Sequence, residues 1–241
     1  MPLFPPLARA AGRLEIIDGP LPVAFDDMAC CMMDIARVNG LFGGRMVTMI
    51  HVKRLLAALP ADHLITVLDV GTGAGDIPRA LVRWARSEGR RIRVFALDRD
   101  ADTLKIAARV VRDYPEITFL RGDALSLPIR AGSVDLTISA MTLHHLEPDA
   151  GVRYLAEMDA AARVGMIVND LVRSRIAHAV VWLITRFITR SAISRHDGPL
   201  SVRRSYTPHE VSGLCVKAGV MDASIVHHWP YFRFCAVRTK R

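Results

Sequence analysis

Between Val67 and Leu81 the chain reads VLDVGTGAGDIPRAL, with a carboxylate, Asp69, ahead of three alternating glycines, Gly71, Gly73 and Gly75. Glycine has no Cβ, so such a run lets the backbone turn sharply and approach a ligand closely. Further acids stand at Asp98, which ends the apolar run IRVFAL, and at Asp123 within Arg121-Gly122-Asp123-Ala124. Ionised carboxylates accept hydrogen bonds from hydroxyls and amines. Histidine as a residue type titrates near neutrality, so the adjacent pair His144 and His145, and a third, His196, could take a proton from a phenol or enol. Proximity alone can also suffice for transfer to an acidic phenol, and a histidine can simply shape a pocket.

The glycine spacing is G-x-G-x-G, whereas the dinucleotide fingerprint is G-x-G-x-x-G. Asp76 stands where the third glycine of that fingerprint would be. An acid at a helix start opposes a pyrophosphate, which the positive helix end would otherwise hold. A ligand with a ribose and an amino group but no phosphate suits this turn better.

These residues need strands and helices to position them. Leu64 to Val70 reads as a buried parallel strand, and Ile77 to Ser87 as the helix after the turn, with Pro78 in its first turn. Strands follow at Ile92 to Leu97, Ile117 to Leu120, Val134 to Ala140 and Val164 to Asn169, alternating with helices at about Ala101 to Asp113 and Pro148 to Ala162. Asp100 can cap the helix after the second strand, which leaves Asp98 free for a ligand. Phe25 to Leu59 reads as two helices broken at Asn39 to Gly44, where Asn39 and Arg45 either serve a ligand or cap the helices. Thr207-Pro208-His209-Glu210 carries a capping-box pattern, and a closing hairpin follows around Trp229-Pro230. Ser191 to Tyr206 reads as a polar loop with a Gly-Pro turn.

At the glycine turn the chain resembles the class I S-adenosylmethionine (SAM) methyltransferases, whose first motif is commonly D-x-G-x-G-x-G. Asp69, Gly71, Gly73 and Gly75 match it position by position, and Gly122-Asp123-Ala124 resembles the family's G-D-A motif. The resemblance runs from about Leu64 to the C-terminus. It implies an α/β fold: a Rossmann-like seven-stranded, mostly parallel sheet with an antiparallel C-terminal strand, plus an N-terminal helical cap. Residues 1–60 would be arm and cap, and residues 61–241 the methyltransferase domain, with a lid insertion at about 171–206.

The resemblance also assigns roles. SAM would be held by Asp69, Gly71, Gly73, Gly75, Asp98, Arg99, Asp123, Ala124 and Met141, with Asp98 on the ribose and Asp123 on the adenine amine. Catalytic candidates are His145, His144 and His196. Arg203 and Tyr206 are substrate-binding candidates. Ser139-Ala140-Met141-Thr142 replaces the N-P-P-Y or D-P-P-Y of enzymes that methylate exocyclic amines of DNA. Thr142-Leu143-His144-His145-Leu146 instead resembles methyltransferases of ubiquinone and menaquinone biosynthesis and of polyketide or phenol tailoring. The implied reaction moves a methyl group to an oxygen, or a carbon, of a hydrophobic small molecule. An RNA methyltransferase and a non-catalytic SAM-fold protein stay open as alternatives.

The 241-residue chain carries a net charge of +8 and four cysteines. No basic run is interleaved with aromatics, which disfavours nucleic acid as a partner. The cysteines lack metal-ligand spacing and no third ligand neighbours the histidine pair in sequence, so no metal is expected. Unpaired cysteines and a proline-broken N-terminus point to a cytoplasmic protein without a signal peptide. Residues 171–190 form an apolar stretch punctuated by arginines, too short in its uninterrupted part to span a bilayer. It is read first as a lid helix, with a homodimer face or peripheral membrane contact as the other readings.

Overall fold

The computed structural model describes residues 7–240; the expected extended arm lies outside the described residues where it covers 1–6. Seven strands build one sheet: β1 (Ile65–Val70), β2 (Ile92–Asp98), β3 (Ile117–Arg121), β4 (Val134–Ala140), β5 (Ala162–Leu171), β6 (Ser224–His228) and β7 (Arg233–Thr239). Their order is β3-β2-β1-β4-β5-β7-β6. The first five run parallel, while β7 is antiparallel to β5 and β6 antiparallel to β7. Strand order reverses between β1 and β4, so a crevice opens at their carboxyl ends, where open α/β sheets bind ligands.

Eight helices accompany the sheet: α1 (Phe25–Leu41), α2 (Gly44–Leu56), α3 (Asp76–Ser87), α4 (Ala101–Val110), α5 (Pro148–Ala161), α6 (Arg175–Phe187), α7 (Ala192–Arg204) and α8 (Pro208–Lys217). Side chains alternate along a strand, and β1 divides accordingly. Leu68 and Val70 join Tyr154 and Leu155 of α5 and Val211 and Leu214 of α8. Ile65 and Val67 join Val47 and Leu55 of α2 and Leu81 and Val82 of α3. Thus α2 is part of the layer that covers the sheet. It is α1, with Met28, Cys31 and Met32 packed against Ala74, Ile106 and Ile193, that roofs the crevice.

Two expectations need correction. The apolar segment expected as one helix from Leu171 begins later, because β5 continues to Leu171 and Ser174 caps α6, accepting from the Ala177 amide at 3.0 Å. The polar segment expected as a loop, Ser191 to Tyr206, is mostly α7, with Pro199 inside it. Proline removes one helical hydrogen bond, but α7 is held from outside. A Cβ on Gly198 would lie 2.5 Å from Thr185 Cγ2, so the Gly-Pro pair that reads as a turn serves close packing on α6. Ser191 caps the helix through the Ile193 amide. Tertiary packing has overridden a local turn signal.

The capping box at Thr207 and Glu210 forms as expected. Helix α6 turns Val181 inward and leaves Ile176, Leu183 and Phe187 exposed. Among the described residues no helix is long and apolar enough to cross a membrane.

Candidate functional site

The glycine turn forms the floor of a cavity of about 420 Å³ at the strand tips. Gly71, Gly73 and Gly75 all have positive φ, at 74°, 51° and 73°. The requirement is strictest at Gly71, where a Cβ would also lie 2.4 Å from Thr142 Oγ1. The amides of Gly71 and Thr72 both donate to the Leu97 carbonyl at 2.9 Å, which stitches the turn to β2. Gly75 caps α3 from behind, against Val111, and is not part of the cavity wall.

Six acids line this cavity: Asp18, Asp69, Asp76, Asp98, Asp100 and Asp123. Asp98 accepts from the Gly73 amide at 3.1 Å and the Asp100 amide at 3.2 Å. Asp100 itself caps α4 through the Thr103 amide, so Asp98 is not needed as a cap. Burial raises the Asp98 carboxyl above its ordinary range. Asp69 is fully buried, its Oδ2 has no partner, and burial pushes its carboxyl up to about 7. Asp76 accepts from Asn39 Nδ2 at 2.8 Å, while Asn39 Oδ1 is unpartnered. Asp123 is held by the Leu125 amide at 2.9 Å. Arg99, Ala124 and Met141 complete the wall as far as the sequence named it.

A second cavity, of about 110 Å³, adjoins the first. Both are lined by Ile17, Ile35, Asn39, Met141 and His145. Met141 sits at this junction with φ of 62°, a backbone that non-glycine residues rarely adopt. His144 lines the second cavity only. Its Nδ1 lies 2.7 Å from Asp170 Oδ1, and its backbone amide donates to Asp170 Oδ2 at 2.9 Å. Burial opposes ionisation of Asp170, but the His144 charge and the hydrogen bonds from His144 and Leu171 hold the carboxyl below its usual range. An ionised Asp170 favours a proton on His144 Nδ1, so in the neutral ring Nε2 is the nitrogen that can accept one.

The N-terminal segment closes both cavities. Its amides at Ile16 and Ile17 donate to Asp197. Asp18 bridges His145 Nδ1 and Arg99 Nη2, each at 2.5 Å. Burial works against its ionisation, but His145 and Arg99 outweigh it and lower the Asp18 carboxyl. Glu15 is buried between Ser201, which donates to it at 3.0 Å, and His144 Nε2 at 3.6 Å. Burial pushes its carboxyl up to about 7. Arg204 ties the strap down through the carbonyls of Arg13, His144 and His145.

Sequence neighbours offered the histidine pair no third ligand, yet the fold brings Glu15 to it, one ligand atom from each lying within 4.8 Å of the others. Asp170 and Asp18 already engage the two Nδ1 atoms, so hydrogen bonding accounts for the cluster.

Besides Gly75, three of the sequence candidates stand apart from both cavities. His196 is half exposed on α7 and pairs with Asp197 at 2.7 Å. Arg203 accepts the Ala10 amide through its carbonyl. Tyr206 is buried, donates to the Leu146 carbonyl at 2.6 Å and carries Arg9 over its ring. Asp135, at the opposite end of β4, binds Thr66, His63 and Arg163 and is structural. Sequence reasoning gave no role to Glu15, Asp18, Asp170 or Arg233. Only Asp170 carried a usable signal: an acid at the end of a parallel strand, as Asp98 is.

Residues 67–165 match the family described as "Methyltransferase domain". The chain is 46% identical over 80 residues to the 2-phytyl-1,4-naphtoquinone methyltransferase of Thermosynechococcus vestitus, covering 32% of this chain and 34% of that one. It is 32% identical over 116 residues to the malonyl-[acyl-carrier protein] O-methyltransferase of Pectobacterium atrosepticum, covering 48% and 42%. The match thus spans less than half the length of either relative. In fold it is similar to human N-acetylserotonin methyltransferase, solved in complex with SAM, with a TM-score of 0.62, 16% identity, and coverage of 90% of this chain and 56% of that one.

Proposed function

We propose, for a chain whose residues 67–165 match the methyltransferase domain family, that it is a SAM-dependent methyltransferase acting on a hydrophobic small molecule. The observation that carries this reading is the pair of adjoining cavities, one lined by acids over the glycine turn and one lined by a histidine with its own carboxylate.

The first cavity suits SAM by charge. That molecule carries two positive groups and one carboxylate, and Asp69, Asp76, Asp98 and Asp123 face the space. The orphaned Oδ2 of Asp69 is an acceptor without a donor, which an ammonium or hydroxyl would satisfy. Asp98 would take the ribose hydroxyls and Asp123, with the Ala124 amide, the adenine edge. When bound, SAM supplies an electrophilic methyl group on a sulfonium.

The chain's own residues do the rest. Met141 and His145 stand at the junction, where donor and acceptor must meet. Asp170 orients His144, and His144 Nε2 removes the proton from an acceptor hydroxyl held in the second cavity. Ile17, Ile35, Val38 and Val181 give that cavity apolar walls and exclude water. Phenolic, quinone-derived and polyketide compounds fit this combination of apolar wall and base. Residues 61–241 act as the catalytic domain, with α1 and the strap as its cover.

Titration calorimetry with SAM and S-adenosylhomocysteine tests the first half, with micromolar binding expected. Transfer of labelled methyl from SAM to a panel of phenols, hydroquinones and polyketides tests the second. A folded sample that binds neither nucleoside would overturn the reading.

A further inference from the structure

Arg233 opens β7, is only 3% exposed and lines the second cavity. Its one hydrogen bond to a side chain runs from Nη1 to Met141 Sδ, at 3.1 Å, and a thioether is a weak acceptor. Among the described residues no carboxylate lies within ion-pair distance of it. Its guanidinium lies against the first residue of α2, where a Cβ on Gly44 would be 2.6 Å from Cζ and Nη2. That is the positive end of a helix, which disfavours a neighbouring cation.

The acids around the cavity do not neutralise this charge, because each has its own donors. Asp170 serves His144. Asp34 takes the amides of Arg190 and Ser191. Asp197 takes those of Ile16 and Ile17. Glu15 is held by Ser201. Burial pulls the Arg233 guanidinium below its ordinary value, with Asp170 only partly opposing. A buried guanidinium without a counter-ion is costly unless something supplies one.

We propose that Arg233 is the anion-binding residue of the acceptor cavity and receives a carboxylate carried by the acceptor, a hydroxy acid whose hydroxyl lies toward His144. The planar guanidinium suits a carboxylate held by two parallel hydrogen bonds. This rests on the methyltransferase reading for the identity of the cavity's occupant.

The test is calorimetric titration of the protein, free and saturated with S-adenosylhomocysteine, with hydroxybenzoates, hydroxycinnamates and 3-hydroxy fatty acids and with the matching neutral amides. At least one acid is expected to bind tenfold or more tightly than its amide. Arg233→Met should abolish that advantage, raise the unfolding temperature of the ligand-free protein by removing an uncompensated buried charge, and leave S-adenosylhomocysteine affinity unchanged. Arg233→Lys, which keeps the charge but loses the fork, should reduce the advantage threefold or more, and it carries the comparison alone if Arg233→Met does not fold. The proposal is overturned if no acid in the panel beats its amide or if the preference survives both variants. It is also overturned if Arg233→Met weakens S-adenosylhomocysteine binding, which would give Arg233 to the nucleoside's own carboxylate. Wild-type protein that ignores S-adenosylhomocysteine overturns the methyltransferase reading instead, and the free-protein titrations still score Arg233.

Discussion

The two adjoining cavities are built in opposite ways. The larger is mostly local: its floor is the turn between β1 and α3, and all its acids but Asp18 stand at or just beyond the ends of β1, β2 and β3, with α1 and the N-terminal segment as its roof. Parallel strands with right-handed crossovers bring such ends together automatically. The smaller is assembled from distant pieces: Glu15 from the strap, Cys31 from α1, His144 after β4, Asp197 from α7 and Arg233 from β7. Local construction makes the first cavity a fixed receptor. Assembly from separate elements lets the residues that line only the second, such as Glu15, Cys31 and Arg233, change without altering the wall of the first. Under the proposed function the nucleoside would occupy the first cavity and the acceptor the second.

Substitutions should separate the two. The largest effect is expected at His144. His144→Gln should lower kcat about 10²- to 10⁴-fold, the usual contribution of a positioned base, while S-adenosylhomocysteine affinity, read by calorimetry, stays unchanged. An equal loss of affinity would mean that the cavities are not functionally separate. Asp98→Ala should do the reverse and weaken S-adenosylhomocysteine about 100-fold, the worth of two hydrogen bonds to a charged acceptor at about 1.5 kcal/mol each. The circular dichroism spectrum should not change.

Asp69 sharpens the comparison through pH. Burial raises its carboxyl to about 7 in the folded chain, against about 3.9 for an aspartate in an unfolded one. Between those values the folded protein holds a proton that the unfolded chain has lost, so stability falls as pH rises across the interval. Asp69→Asn should therefore stabilise the ligand-free protein at pH 8, raising Tm by about 2–4 °C per kcal/mol recovered, and have little effect near pH 4. It should also weaken S-adenosylhomocysteine. A variant that is more stable and binds unchanged would remove Asp69 from the site. The smallest effects belong to His196→Ala and Arg203→Ala. Both residues lie outside the two cavities, and stability should stay within about 0.5 kcal/mol of wild type with turnover unaltered.

The same division governs what could be read from the chain. The strands, their order of appearance, the Thr207 capping box and Asp69, Asp98 and Asp123 of the first cavity were legible because each depends on neighbours in sequence. Gly75 shows the limit even there: it belongs to the motif, yet it caps α3 and stays behind the wall. Reading α7 as a loop failed because Gly198-Pro199 is a turn signal only when nothing packs against it, and α6 does. His196 and Arg203 had the right chemistry for an acceptor site but lie on α7 away from both cavities. Glu15 and Asp18 sit in a proline-broken segment whose path is set by Asp197, Arg204 and His145, all far along the chain.

By itself the sequence determined the sheet, the glycine turn and the acids at the strand ends. Periodicity, glycine conformation and capping are short-range physics, and they act the same way wherever the segment ends up. Only the tertiary structure decided which histidine meets a buried carboxylate, which arginine is left without one, and which helix face roofs the crevice. Those outcomes depend on burial and on charges brought within a few ångströms of one another. Both are properties of the packed chain, which no local stretch of residues carries.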